Sequence, residues 1–98
     1  MKKPETKFRE STYKDLNSLE NCFWESIQQK TIKGSCDLIM CLNGKYIGIE
    51  YKKDANTEPM KYQQYKHKKI KKANGIVFIA YPENWKKIMQ KLRYLSTR

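Results

Sequence analysis

Asp37, Glu50 and Lys52 are the residues whose types and spacing could do chemistry. They flank Asn43-Gly44, the strongest short-range hairpin signal, and the runs Cys36 to Leu42 and Tyr46 to Tyr51 on either side read as two adjacent antiparallel strands. If Asn43-Gly44 is a two-residue loop, Leu42 faces Lys45 and, five steps on, Asp37 faces Glu50. Two carboxylates so placed have Cβ atoms about 4.5 to 5.5 Å apart, which destabilises a hairpin unless a cation lies between them. Lys52 projects from the same face. The rest of the hairpin is apolar, with Ile39 and Cys41 beside the acids and Leu38, Met40, Ile47 and Ile49 behind, so charge at its end calls for a reason. A hard divalent cation, Mg²⁺ or Mn²⁺, takes carboxylate oxygens and keeps several waters. The ammonium beside it would hold such a water and help deprotonate it for attack on a phosphodiester. Spacing alone leaves a second reading open, in which Glu50 and Lys52 form a solvated edge pair worth under ~1 kcal/mol.

The elements that must position these residues follow from periodicity. Phe8, Thr12, Leu16 and Leu19 recur at helical spacing, and Pro4 suits a first turn, so a helix is predicted from Pro4 to about Leu19. Cys22 to Gln29 alternates as a strand. Beyond the hairpin, Thr57-Glu58-Pro59 leads into a helix from Met60 to Ala73, stopped by Asn74-Gly75. Ile76 to Ala80 is a short apolar run, the mark of a strand covered on both faces. Trp85, Ile88, Met89, Leu92 and Leu95 then form one stripe of a last helix. The predicted order is α-β-β-β-α-β-α.

At 98 residues there is room for one domain, residues 1–98. Its net charge of +11 points to a polyanionic partner. The charge is uneven, because residues 1–60 hold ten Lys/Arg against nine acids and residues 61–98 hold eleven against one. Cys22, Cys36 and Cys41 lack a C-x-x-C pair and fall in segments that read as buried strand, as free thiols of a reducing cytoplasm would. No run approaches the ~20 apolar residues of a membrane span, so no membrane association is expected.

The whole arrangement resembles the VRR-NUC family of the PD-(D/E)XK nuclease superfamily, of the standalone phage and bacterial type. The resemblance rests on Lys33-Gly34-Ser35-Cys36-Asp37-Leu38-Ile39, Ile49-Glu50-Tyr51-Lys52, Tyr62-Gln63-Gln64-Tyr65 and Asn74-Gly75-Ile76-Val77. It implies a restriction-endonuclease-like α-β-β-β-α-β core, a mixed central sheet flanked by helices, with a further C-terminal helix. Asp37 and Glu50 would be metal ligands, with the Tyr51 backbone carbonyl a further one, and Lys52 would orient the nucleophilic water. A Glu on the first helix, Glu5 or failing that Glu20, would complete the site. The family's Gln at the start of the second helix matches Gln63 better than Gln64. Cys36 stands where the family usually has Pro. The implied activity is Mg²⁺- or Mn²⁺-dependent endonuclease cleavage of branched DNA, such as four-way junctions, by a homodimer in a bacterial or phage-infected cell, with no small-molecule cofactor. A nucleic-acid-binding domain without catalysis is the alternative; an RNA-binding protein would explain the charge but not the carboxylates.

Residues 61–72 hold six lysines, one histidine and no acid. At 100° per residue Lys61, Lys68 and Lys72 share one side and Tyr62, Ile70 and Ala73 the opposite, core-facing side. Lys66 falls on the apolar side and would have to snorkel or point toward the site. Lys61, Lys66, Lys68, Lys69 and Lys72 are the candidate phosphate contacts, giving steep salt dependence and little base readout. His67 has no Cys or His partner at ligand spacing and is not expected to bind metal.

Overall fold

The structure, a computed structural model, describes residues 2–27 and 35–98. Among these the chain forms α1 (Pro4–Leu16), β1 (Cys22–Ser26), β2 (Leu38–Leu42), β3 (Lys45–Tyr51), α2 (Lys61–Lys72), β4 (Ile76–Ala80) and α3 (Trp85–Ser96), in the order the periodicity predicts. The strands make one four-stranded sheet in the order β1-β2-β3-β4. β1, β2 and β3 pair antiparallel in succession, and β4 runs parallel to β3. A parallel neighbour requires a crossover, and α2 supplies it.

The hairpin turn is built as its sequence demands. Asn43 (φ 50°) and Gly44 (φ 84°) both adopt positive φ, the conformation of a two-residue turn whose twist matches the strands. Pairing runs from Leu42↔Lys45 to Leu38↔Ile49, the predicted register. Alternation then sends Leu38, Met40 and Leu42 of β2, and Ile47, Ile49 and Tyr51 of β3, to one face of the sheet. There they join Leu16 of α1 and Trp85, Ile88, Met89 and Leu92 of α3 in a single apolar core. The Tyr51 ring packs edge-on against Phe8, and its hydroxyl lies 2.8 Å from Thr12 Oγ1, fixing the end of β3 under the first helix. Burial pushes the Tyr51 phenol above its ordinary pKa, so it stays neutral.

Four expectations need correction. Helix α1 ends at Leu16, with Asn17 as its C-cap, and Leu19 reaches the core from a turn. β1 ends at Ser26, and Gln28-Gln29 of the expected strand lie outside the described residues. β4 is the outer strand of the sheet, so Ile76 to Ile79 are half-buried and only Ala80 is fully covered. All three cysteines are thiols, but only Cys36 is buried; Cys22 is half-buried, and Cys41 is exposed on the face of β2 opposite the core. Among the described residues no helix is long and apolar enough to cross a membrane.

Candidate functional site

The opposite face of β3 carries Gly48 and Glu50. β3 lies between β2 and β4, and Glu50, near its end, pairs with Ile79 of β4 and is only 2% exposed. A carboxylate so placed must be hydrogen-bonded or ion-paired. Gln63 Nε2 donates to Glu50 Oε2 at 2.9 Å, and Lys52 Nζ lies 3.9 Å from the same oxygen. On the other side His67 Nε2 lies 3.8 Å from Oε1. Glu50 therefore has two sides, one turned to Gln63 and Lys52 and the other to His67.

Asp37 reaches the same end of the hairpin, but not as a paired residue opposite Glu50. The ladder stops at Leu38↔Ile49, and Asp37 sits immediately before β2. Its N–H donates to Ile49 O at 3.0 Å, and its Oδ2 accepts from the Tyr51 N–H at 2.8 Å. The side chain has taken a donor that a continued ladder would have used, which avoids facing two carboxylates directly. Ile27 N–H donates to Asp37 O at 2.8 Å, so β1 holds the aspartate's backbone from the other side. Lys33-Gly34, which begin the motif, lie outside the described residues.

The second helix is rotated from its predicted phase. Its buried residues are Gln63 and His67, with Lys66 and Ile70 half-buried, whereas Tyr62 and Ala73 are exposed. This i, i+3, i+4, i+7 face accounts for Lys66, which the Tyr62-Ile70-Ala73 face did not. The cause is Gln63: its Oε1 accepts from the Met60 N–H at 2.9 Å and is approached by Lys52 Nζ at 3.4 Å, while its Nε2 holds Glu50. One amide thus closes the start of the helix and docks it on the carboxylate. Gln64, by contrast, is exposed and bonds the Pro59 carbonyl. The Lys52 N–H donates to Ala80 O at 2.8 Å, so the lysine leaves the sheet at the joined ends of β3 and β4.

Asp37, Glu50, Lys52 and Gln63 are thereby brought to one corner. Of the remaining ligand expectations, the Tyr51 carbonyl belongs to the same strand end, Glu5 is half-buried in the first turn of α1, and Glu20 is exposed. Among the described residues one group of three ligating side chains has its atoms within 4.8 Å of one another, and it is Cys36, Glu50 and His67. Sequence reasoning missed His67 and Cys36 because the three come from the segment before β2, from β3 and from α2; no spacing along the chain encodes that meeting. Burial, reinforced by Lys71 and Lys52, holds the His67 imidazole below its usual pKa of 6.5 despite the nearby Glu50.

Lys61, Lys68, Lys69, Lys71 and Lys72 are exposed along α2. Lys69 also lies 5.6 Å over the Tyr65 ring. Lys66 and Lys69, with Tyr65 and Tyr46, line a groove of about 400 Å³ that also takes in Cys36, the residue before Asp37.

Comparison of the chain with protein-family models, with curated proteins and with solved structures gave no match.

Proposed function

We propose that the chain is a metal-dependent DNA endonuclease with the restriction-endonuclease-like core of the PD-(D/E)XK superfamily, similar to its VRR-NUC family. One observation carries the reading: Gln63 and Lys52 converge on Glu50 at the end of β3, where the Tyr51 N–H also holds Asp37, beside a helix that exposes Lys61, Lys68, Lys69, Lys71 and Lys72. The donor set fits Mg²⁺ or Mn²⁺, since Asp37 and Glu50 offer hard carboxylate oxygens, with the Tyr51 carbonyl and Glu5 as further donors in the proposal. When bound, such an ion acidifies a water and neutralises charge on the scissile phosphate. The chain's own residues do the rest. Gln63 and the Tyr51 N–H fix the orientation of Glu50 and Asp37. Lys52 holds the water whose oxygen bonds phosphorus as the bond to the leaving sugar oxygen breaks. Lys61, Lys66, Lys68, Lys69 and Lys72 hold flanking phosphates without reading bases, and the resemblance to the VRR-NUC family points to branched substrates such as four-way junctions, engaged symmetrically by a homodimer.

A second reading, a nucleic-acid-binding domain without catalysis, draws on the fact that Gln63 and Lys52 already satisfy Glu50 Oε2 as a structural network would. Incubation of wild type and Lys52→Ala with four-way and linear DNA, in Mg²⁺ or in chelator, separates the two. The nuclease reading expects cleavage by wild type in Mg²⁺ only, with Lys52→Ala folded and DNA-binding but slower by about 10²-fold or more. Binding by wild type with no Mg²⁺-dependent product selects the second reading.

A further inference from the structure

We infer that Cys36, Glu50 and His67 form a second metal site, one for a thiophilic ion of the Zn²⁺ class, on the side of Glu50 that faces away from Lys52. The three ligand atoms lie within 4.8 Å of one another and all three residues are buried. A tetrahedral Zn²⁺ with bonds of about 2.0 to 2.3 Å needs its ligands roughly 3.3 to 3.8 Å apart. His67 Nε2 is already 3.8 Å from Glu50 Oε1, so only a small closure is required. That nitrogen is inaccessible to solvent, aimed at the carboxylate, and without a hydrogen-bond partner among the described residues. An orphaned imidazole nitrogen in a buried setting is costly unless something ligates it.

The thiol is placed by a second, separate device. A Cβ on residue 48 would stand 2.6 Å from Cys36 Sγ, so the glycine beneath is what lets the sulfur lie over the sheet. A Cys-Glu-His set gives sulfur, oxygen and nitrogen donors, the combination that selects a borderline-soft ion over Mg²⁺. Thiolate and carboxylate together carry the two negative charges that neutralise a divalent ion. Lys52 approaches Glu50 through Oε2 and not through the oxygen facing His67. With three protein ligands, the fourth position is left to water, and Cys36 also lines the groove beneath α2, which gives the ion a way in. The site stands whether or not the chain cuts DNA.

Titration with Co²⁺, the spectroscopic stand-in for Zn²⁺, tests it. Wild type should take up one equivalent with strong visible bands of tetrahedral cobalt and a sulfur-to-cobalt charge-transfer band, both displaced by Zn²⁺. Cys36→Ser should lose the charge-transfer band, His67→Gln should weaken binding at least tenfold, and the double variant Cys22→Ser/Cys41→Ser should leave the spectrum unchanged. Wild type itself provides the control against a variant that fails to fold: Zn²⁺ should slow alkylation of Cys36, mapped by mass spectrometry, while leaving Cys22 and Cys41 at their metal-free rates. Absence of tetrahedral bands in wild type, a charge-transfer band that depends on Cys22 or Cys41, or equal alkylation of Cys36 with and without Zn²⁺ would overturn the inference.

Discussion

Strand β3 carries two surfaces of opposite character on alternate residues. Ile47, Ile49 and Tyr51 enter an apolar core closed by α1 and α3, whereas Gly48 and Glu50 enter a polar layer closed by α2. On the first surface every neighbour favours burial. On the second a carboxylate, an amide, an imidazole and an ammonium are gathered where water is scarce, an arrangement that gains little stability from its charges. One strand thus holds the fold with one set of side chains and leaves the other set to chemistry.

Adjacent residues should therefore fail in different ways. Ile49→Ala opens a cavity in the core and should cost about 2 to 5 kcal/mol of stability, read by urea denaturation. Glu50→Gln keeps an acceptor for Gln63, and Lys52, which is not fully buried, can turn its charge to solvent, so the loss of stability should stay well below that of Ile49→Ala while Mg²⁺-dependent cleavage falls about 10³-fold. If Glu50→Gln unfolded the protein as Ile49→Ala does, the polar layer would be a structural element and the contrast would collapse.

Gly48 marks the boundary between the two surfaces more finely. Its side-chain position is filled by Cys36, so Gly48→Ala should cost about 1 to 3 kcal/mol through overcrowding. Cys36→Ala in the same chain should restore most of that loss, a coupling visible in a double-mutant cycle. Additive losses would mean that the strain arises from another neighbour.

The apolar surface was legible in the sequence and the polar one only in part, for a physical reason. Period-2 and period-3.6 patterns report how apolar side chains partition, so Leu38 to Leu42, Ile47 to Tyr51 and the Trp85 stripe declared their faces, and Asn43-Gly44 set the register. Helix α2 has too few apolar residues for the same rule to find its inward face. Its phase is set by the hydrogen bonds of Gln63, which point Gln63 and His67 inward and turn Tyr62 out. Likewise the hairpin arithmetic placed Asp37 at the right end of the strand, but not the turn of its carboxylate onto the Tyr51 N–H. The meeting of Cys36 with His67 depends on the crossover alone.

The outer surface of α2 should behave as neither of the layers beneath it. Lys68 and Lys72 are exposed and one turn apart, so removing both as Lys68→Gln/Lys72→Gln relieves a like-charge pair worth a few tenths of a kcal/mol and should not lower the melting temperature. DNA affinity should fall for every sequence tested, and the slope of log affinity against log salt should shrink by about 0.9 for each phosphate that is no longer neutralised. An unchanged slope would assign these lysines to solvation only.

The smallest effect expected lies inside the polar layer, in its response to pH. His67 is faced by Glu50 and Lys52 from the strand end and by Lys71 from its own helix, and its pKa is lowered in the folded protein from 6.5. As pH falls through 6.5 the unfolded chain takes up a proton that the folded chain refuses, so the unfolded state binds more protons and stability declines. Above that pH the imidazole is neutral in both states and contributes no slope. Melting temperatures of metal-free wild type should therefore fall from about pH 7 to about pH 5 more steeply than those of His67→Gln. A wild-type curve that rose over that interval relative to the variant would mean that a His67–Glu50 ion pair forms on protonation and outweighs burial, and the polar layer would then be held together by its charges after all.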